Sequence, residues 1–224
     1  MMVVPEYVVF DLGRVVVQWD INLIFSRFFD QSPLLDHFLG NVFTDNFIHS
    51  TDLADSLQPE LQKLAQKFPQ YQQEIMAFDA LWFDALPDFV PGIIDLIKQL
   101  QHQSMPLYAI TNYNGQKYDE SPAHGYDYPA MFIDVAVSGK LGIAKPDKRI
   151  FQYLFDKNAL NPQKGLFIDD KPANIEAACG LGMQGIIFQD TQQLRQALKL
   201  LGLEIGHAAV ASPIIHGNNK AMGM

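Results

Sequence analysis

The chain has 224 residues, 48% of them hydrophobic, with a formal net charge of −9 and a pI of about 5.0. This length allows one large domain or a core with a small insert, and the apolar content can fill a sizeable core. The acidic balance argues against a nucleic-acid partner, whose phosphates select a basic surface. No apolar run approaches a membrane span, and Pro5 and Glu6 interrupt the apolar N-terminus, so we expect neither membrane association nor a signal peptide.

The chain contains a single cysteine, Cys179, and therefore no internal disulfide. This cysteine usage fits a reducing compartment, and we expect the protein to be cytoplasmic. Cys179 falls in an apolar helical run without a basic partner, so it is predicted to pack in the core.

The first predicted element is a strand over residues 7–11. Its apolar run is β-branched and aromatic, which is typical of a parallel strand buried on both faces, and it ends in Asp11. Ligands bind beyond the carboxyl ends of such strands, so Asp11 is a candidate functional residue. An aspartate here is equally common as a turn former or helix cap. Residues 15–19 are predicted to be a second short extended segment beside it.

Residues 21–86 change character, because apolar residues recur at helical spacing and no strand pattern occurs. Prolines divide this segment, which predicts several short helices. We interpret residues 21–86 as a small all-helical insert between two core segments, 1–20 and 87–203.

From residue 88 onward, helical and strand patterns alternate along the chain. Helices are predicted over 93–100, 147–155, 172–180 and 191–201, and strands over 106–111, 133–137, 165–169 and 185–188. The repeating order predicts an α/β fold with a doubly wound parallel sheet and helices on both faces. Thr191 is predicted to cap the last helix, and residues 113–129 to form a long polar loop. The tail, 204–224, lacks periodicity and is expected to be mobile or to pack against a partner.

Polar residues suited to one task lie at three predicted strand ends and before one helix: Asp11, Thr111, Asn112, Lys145, Asp169 and Asp170. The carboxyl ends of parallel strands share one edge of a sheet, so these groups can converge. Clustered carboxylates need a cation, and an all-oxygen set suits Mg²⁺ better than zinc. With Mg²⁺ and the lysine, this pocket would hold a phosphoryl group that Asp11 could attack.

These residues form motifs that resemble those of the haloacid dehalogenase-like (HAD) hydrolases. The motifs are Phe10–Val15, Ile110–Asn112, Lys145-Pro146 and Phe167–Asn174, in that order and at that family's spacing. The resemblance covers roughly residues 5–20 and 88–200, and the insert lies where the family places its cap domain. Within the family, the chain resembles the branch with an Asp-Leu-Gly start, which includes a bacterial sugar-1-phosphate phosphatase. It is also similar to the phosphatase domain of epoxide hydrolases.

The resemblance implies a Rossmann-like core and a Mg²⁺ site. Asp11 would be the nucleophile that forms an aspartyl-phosphate, and also a metal ligand. Asp170 would be a direct metal ligand, and Gly13 would contribute its backbone carbonyl. Asp169 would lie beside the metal, orienting water or pairing with the lysine. Considered alone, the two neighbouring aspartates would more simply cap the helix that follows.

The resemblance also implies how the phosphoryl group is held. Thr111 and Asn112 would contact its oxygens, and Lys145 would neutralise charge on both the phosphate and Asp11.

One position departs from the family pattern. Most phosphatases of the family carry a second aspartate two residues after the nucleophile, which protonates the leaving group, and here that position is Gly13. General acid–base catalysis contributes about 10²–10⁴-fold. Another group or water substitutes, or the substrate has a good leaving group, or the protein is a feeble catalyst. Arg14 reaches the substrate or is a surface residue of a turn.

Several further residues are candidates for the mouth of the pocket. A cap closes over its pocket and excludes water, so some insert residues could face the substrate, although such aromatic residues more often form the cap core. These insert residues are Arg27, His49, Trp82 and Phe83. Residues of the polar stretch are predicted to serve simple packing first: Tyr118, His124, Tyr126 and Tyr128.

We therefore predict a Mg²⁺-dependent phosphatase that hydrolyses a small phosphomonoester, with a sugar phosphate as one candidate. The alternative is a catalytically weakened protein that binds a phosphorylated ligand or a partner. A third and weaker hypothesis is a 2-haloacid dehalogenase, a branch that also lacks the second aspartate. That branch uses no Mg²⁺ and would not need paired carboxylates at Asp169 and Asp170.

Overall fold

A computed structural model describes residues 4–29 and 33–206 of the chain. Five strands form one fully parallel sheet in the order β3-β2-β1-β4-β5. The strands are β1 (Tyr7–Phe10), β2 (Leu107–Thr111), β3 (Asp134–Val137), β4 (Gly165–Asp169) and β5 (Gln184–Ile187). Phe10 is in register with Ala109 of β2 and Ile168 of β4, so Asp11 follows the central strand, between the ends of its two neighbours.

The segment after β1 is helical, as predicted. It contains α1 (Asn22–Phe25), α2 (Pro33–Asn41), α3 (Asp45–Asp52), α4 (Gln58–Lys67) and α5 (Gln72–Leu81), with 3₁₀ turns at Pro69–Tyr71 and Trp82–Ala85. Within residues 21–29 and 33–86 no strand is formed. Buried aromatic rings pack these helices together: Phe43 lies 4.8 Å from Phe25 and 4.7 Å from Phe78 between ring centroids. The division into a core and a cap at 20/21 and 86/87 stays a prediction.

Helices of the core cover both faces of the sheet. They are α6 (Ile93–His102), α7 (Gly115–Glu120), α8 (Tyr128–Met131), α9 (Ser138–Leu141), α10 (Lys148–Asn158), α11 (Pro172–Cys179) and α12 (Thr191–Leu200). Val8 and Phe10 pack in one apolar cluster with α6 and α12, whereas Val9 packs in a second cluster with α10 and α11. This alternation confirms the predicted doubly wound α/β fold. None of the described helices has the length and apolarity that crossing a membrane requires.

The extended segment predicted over 15–19 is wrong. The backbone amides of Val15, Val16 and Val17 all donate to the carbonyl of Leu12, at 3.3, 2.8 and 3.0 Å, which winds the chain into a tight turn. Only isolated bridges connect Val17 to neighbouring segments within the described chain. β-branched residues favour strands, but here their amides are satisfied locally and their side chains are buried.

The long loop predicted over 113–129 is also wrong, because most of this stretch is helical. Asn114 caps α7 by accepting from the Lys117 amide at 3.2 Å, and Asp127 caps α8 in the same way. Tyr118 and Tyr128 are buried, which agrees with the packing role predicted for the tyrosines of this stretch. Side-chain caps and aromatic burial supply the order that a polar composition does not indicate.

Two single-residue predictions require correction. The N-cap of α12 is Asp190, whose side chain accepts from the Gln193 amide at 2.8 Å, whereas the Thr191 hydroxyl donates to the carbonyl of Pro91. Cys179 is exposed and does not belong to the core, because it is the last residue of α11.

Residues 204–206, the beginning of the predicted tail, pack against the core. Ile205 is buried, and the Gly206 amide donates to the side chain of Gln99 on α6 at 3.0 Å. The rest of the predicted tail, 207–224, lies outside the described residues.

Candidate active site

A buried lysine links two strand ends at the carboxyl edge of the sheet. Lys145 Nζ lies 2.8 Å from Asp11 Oδ1 and 2.7 Å from Asp169 Oδ2. Its backbone is fixed by Asn112, which accepts from the Lys145 amide at 2.8 Å and donates to its carbonyl at 3.1 Å. Three groups from distant parts of the sequence therefore converge as predicted, and Asn112 positions the lysine.

Asp169 is held rigidly by its own network. The Asn174 amide donates to both of its carboxylate oxygens at 2.9 Å, and the Lys171 backbone amide donates to Oδ1 at 2.8 Å. With Lys145 on Oδ2, both oxygens are occupied by protein donors. The side chain of Asp169 is completely buried, and such a charge requires this degree of pairing. Of its two predicted roles, pairing with the lysine is the one that the contacts support.

Three carboxylates gather where a metal ion was predicted. Asp11, Asp169 and Asp170 each present one oxygen atom, and these atoms lie within 4.8 Å of one another. Asp170 is half-buried, and none of the described residues donates a hydrogen bond to its carboxylate. An all-oxygen donor set with a carboxylate open to solvent fits Mg²⁺, which retains part of its water shell. Gly13 lines the same cavity.

The electrostatics of this edge favour an added cation. Burial raises the pKa of Asp11 to about 7, Lys145 counteracts the shift, and Asp169 adds to it. The pKa of Asp170 is also raised, first by burial and then by Asp169. Burial alone would lower the pKa of Lys145, but Asp11 and Asp169 raise it, so the lysine stays charged. A divalent ion would stabilise the ionised forms of Asp11 and Asp170.

Thr111 differs from the other predicted site residues. It ends β2 and is buried, and it does not line the cavity. Its hydroxyl oxygen has no hydrogen-bond partner among the described residues. A buried hydroxyl without a partner is costly, and such groups are often reserved for a ligand.

A cavity of about 320 Å³ opens above these groups, between the sheet edge and the helical segment. Trp19, Trp82 and Tyr113 form an aromatic wall, with ring centroids 5.2 Å apart for the two tryptophans and 4.8 Å for Trp82 and Tyr113. Arg14 also lines the cavity, on the tight turn, in a left-handed backbone conformation (φ 63°). The cavity can therefore accept a small molecule with an apolar part and a charged part.

Only some of the insert residues proposed to face the pocket do so. His49 and Trp82 line the cavity. Arg27 instead pairs with Asp84 on the surface at 2.5 Å, and the ring of Phe83 stacks on His124 at 3.7 Å. Neither of these two pairs lines the cavity.

Asp52 was not anticipated from the sequence. It is the last residue of α3, lines the cavity, and shares one helical face with Asp45 and His49. Burial raises its pKa to about 8, although Lys171 and Lys145 act to lower it. The spacing of these polar residues, at i, i+4 and i+7, was the available signal. The spacing alone does not tell whether this face of α3 points into the cavity, because packing against the distant core sets the orientation of the helix.

The chain matches the model of the haloacid dehalogenase-like hydrolases over residues 19–182, and it belongs to this family of hydrolases. Asp11 lies before the matched range. The family membership and the fold inferred from the four motifs are therefore confirmed.

Individual relatives are more distant. The mouse acyl-CoA dehydrogenase family member 10 is 26% identical over 205 residues, 86% of this chain and 18% of that protein. A sesquiterpene phosphatase of Aspergillus oryzae is 26% identical over 105 residues, 45% of this chain and 53% of that protein. The chain thus spans less than a fifth of one relative's length and about half of the other's.

The fold is shared with solved structures. A HAD family enzyme from Bacteroides thetaiotaomicron, in complex with magnesium and inorganic phosphate, superposes with a TM-score of 0.67 at 20% identity. The match covers 84% of this chain and 98% of that chain.

Proposed function

We propose that this hydrolase is a Mg²⁺-dependent phosphatase that cleaves a small phosphomonoester through an aspartyl-phosphate on Asp11. One observation carries the proposal: Lys145 is buried between Asp11 and Asp169 at the floor of a cavity, with Asp170 open beside them. With Mg²⁺ bound beside Lys145, positive charge would lie where the phosphoryl group binds, in a chain that is otherwise acidic.

The chain's own residues would divide the work. The Asp11 carboxylate attacks phosphorus, and Lys145 keeps it ionised while neutralising charge on the phosphoryl oxygens. Asn112 holds the lysine in place and offers its remaining amide hydrogen to the phosphoryl group.

Mg²⁺ would be held by Asp11, Asp170 and the backbone carbonyl of Gly13, with Asp169 next to them. When bound, it supplies Lewis-acid stabilisation of the charge on the transferring phosphoryl group. The acidic cluster supports this assignment, as does the magnesium and phosphate held by the Bacteroides enzyme of the same fold.

The substrate would be a small phosphorylated metabolite. The cavity volume limits its size, and the aromatic wall of Trp19, Trp82 and Tyr113 favours a leaving group with an apolar or ring face. A sugar phosphate remains a candidate, because sugar rings stack on aromatic side chains. We place the reaction in the cytoplasm on the basis of the lone, unpaired cysteine.

The binding alternative and the dehalogenase alternative differ from this proposal in measurable ways. A weakened protein would bind phosphate at this site without turnover, and a dehalogenase would release halide without metal. The raised pKa of Asp11 and the neighbouring carboxylate of Asp170 favour a reaction that uses a divalent ion.

Phosphate release from acetyl phosphate and p-nitrophenyl phosphate tests the proposal. The wild-type protein with Mg²⁺ is expected to release phosphate with turnover, and Asp11→Asn to lose it. Equal release by the two proteins would refute the proposal, and halide release from 2-haloacids without metal would favour the dehalogenase instead.

A further inference from the structure

The proposed reaction lacks a proton donor at the expected position. Gly13 has no side chain, yet an alkoxide leaving group needs a proton as its bond to phosphorus breaks. Glycine is not required there by packing, because a Cβ built on Gly13 would meet nothing within 4 Å. The space at Gly13, two residues after the nucleophile, is therefore open.

Asp52 faces that space from the helical segment. It lines the same cavity as Asp11 and Gly13, and it is partly buried there. No described residue donates a hydrogen bond or forms an ion pair with its carboxyl group. A carboxyl group enclosed by protein and left unpaired at a cavity wall is available to a ligand in that cavity.

The end of α3 is attached firmly to the core. The Ser138 hydroxyl donates to the Asp52 carbonyl at 2.5 Å, and the Asn114 side chain donates to the carbonyls of Thr51 and Ala54 at 3.1 and 2.7 Å. Ser138 and Asn114 follow β3 and β2, so Asp52 is fixed to the same sheet edge as the nucleophile. Its position is therefore determined by the core as well as by the cap.

The charges around Asp52 are compatible with a neutral acid. Burial is the largest influence and raises its pKa to about 8; Lys171 lowers the pKa, Asp11 raises it, and Lys145 lowers it again. The other charged or titratable groups that line the cavity are Arg14, Asp45, His49, Tyr113 and Asp170.

We propose that Asp52 is the catalytic acid and base of this phosphatase, in place of the side chain absent at Gly13. The inference rests on the proposed function. In the first step the Asp11 carboxylate bonds to phosphorus, the ester P–O bond breaks, and the Asp52 proton moves to the departing oxygen, so that an alcohol leaves. In the second step water bonds to phosphorus, its proton passes to the Asp52 carboxylate, and the P–O bond to Asp11 breaks. Phosphate is released and both carboxyl groups return to their starting states.

The dependence on the leaving group tests this assignment. Asp52→Asn and Asp52→Ser are compared with wild type on an alkyl phosphate, glycerol 1-phosphate, and on p-nitrophenyl phosphate, with Mg²⁺. Asp55→Asn is the matched control, since it changes the same residue type in the same segment, outside the cavity lining. Circular dichroism verifies that each variant is folded.

The expected result is a selective loss. For the alkyl ester, kcat/KM falls by about 10²-fold or more, and for p-nitrophenyl phosphate by less than about 10-fold, because p-nitrophenolate leaves without a proton. Asp55→Asn keeps both activities. Adding Gly13→Asp to Asp52→Asn restores part of the activity toward the alkyl ester, because the new carboxyl group enters the open space.

Two outcomes would overturn the inference and are distinguishable. If folded Asp52 variants lose the same factor on both substrates, or lose nothing, Asp52 is not the proton donor while the phosphatase proposal stands. If wild type releases no more phosphate than Asp11→Asn from either substrate, the phosphatase proposal fails and the proton-donor assignment fails with it.

Discussion

Lys145 Nζ lies 2.8 Å from Oδ1 of Asp11, and both side chains are buried at the end of the central strand. The same ammonium group contacts Asp169 at 2.7 Å, so two buried acids share one cation. This sharing makes Lys145 important for both stability and chemistry.

Replacing the lysine should therefore be costly. Lys145→Met leaves two buried carboxylates without a cation, and we expect the free energy of unfolding to fall by about 3–5 kcal/mol, together with loss of phosphate release. Urea denaturation provides the measurement. Lys63→Met is the matched control, because it removes an exposed ion pair with Glu60 and such pairs contribute about 0–1 kcal/mol. Equal effects of the two substitutions would contradict the account.

Mg²⁺ should stabilise the folded protein through Asp170. A ligand that binds only the folded state adds about 2.7 kcal/mol at a concentration of 100 times its Kd. We expect Mg²⁺ to raise the Tm of wild type, EDTA to reverse the increase, and Asp170→Asn to abolish most of it. Asp36→Asn, on the exposed side of α2, should behave as wild type. A Mg²⁺-induced shift that survives in Asp170→Asn would place the ion elsewhere.

The pKa of Asp52 predicts how stability depends on pH in the absence of metal. Its folded-state pKa of about 8 lies above the ordinary value of 3.8, so the folded protein retains a proton that the unfolded chain releases. The resulting stabilisation is fully present below 3.8 and is lost as pH rises to about 8. Between pH 3.8 and about pH 8, the free energy of unfolding of the wild-type protein should therefore fall relative to that of Asp52→Asn.

Thermal unfolding of both proteins in EDTA, from about pH 4 to about pH 9, measures this difference. A constant difference in Tm across the range would mean that Asp52 titrates as an ordinary aspartate.

The contact between α3 and the core predicts a steric effect at Gly139. A Cβ at this position would lie 2.3 Å from the Gly115 nitrogen and 2.6 Å from the Ala54 carbonyl oxygen, and neither backbone atom can move freely. Gly139→Ala should destabilise the protein by about 1–3 kcal/mol and displace the segment that carries Asp52. Gly40→Ala on α2 is the control, since its Cβ meets nothing within 4 Å and should stabilise the helix by about 0.5–1 kcal/mol.

The sheet could be predicted from the sequence because its strands are fully buried. β1, β2 and β4 are continuous apolar runs with both faces covered, and the polar residue at each end marks the edge where ligands bind. The convergence of Asp11, Lys145 and Asp169 follows from parallel topology alone. These features depend only on the local hydrophobic pattern and on the rule that the carboxyl ends of parallel strands share one edge of the sheet.

The remaining features depend on contacts between distant segments. Residues 15–17 have the composition of a strand, but they turn because the Leu12 carbonyl is available to three amides. Asp52 becomes part of the site only through the hydrogen bonds of Ser138 and Asn114 to the α3 end, which no local pattern specifies. Other residues of the helical segment, such as Arg27, have equally suitable side chains, but Arg27 pairs with Asp84 on the surface and does not line the cavity.

The central claim is that Asp11 carries the phosphoryl group, and mass spectrometry of acid-quenched protein tests it most directly. Wild type mixed with acetyl phosphate and Mg²⁺ should show one added phosphoryl group, on the peptide that contains Asp11, and Asp11→Asn should show none. Turnover with no such adduct in a rapid-quench time course, and with full activity in Asp11→Asn, would contradict it.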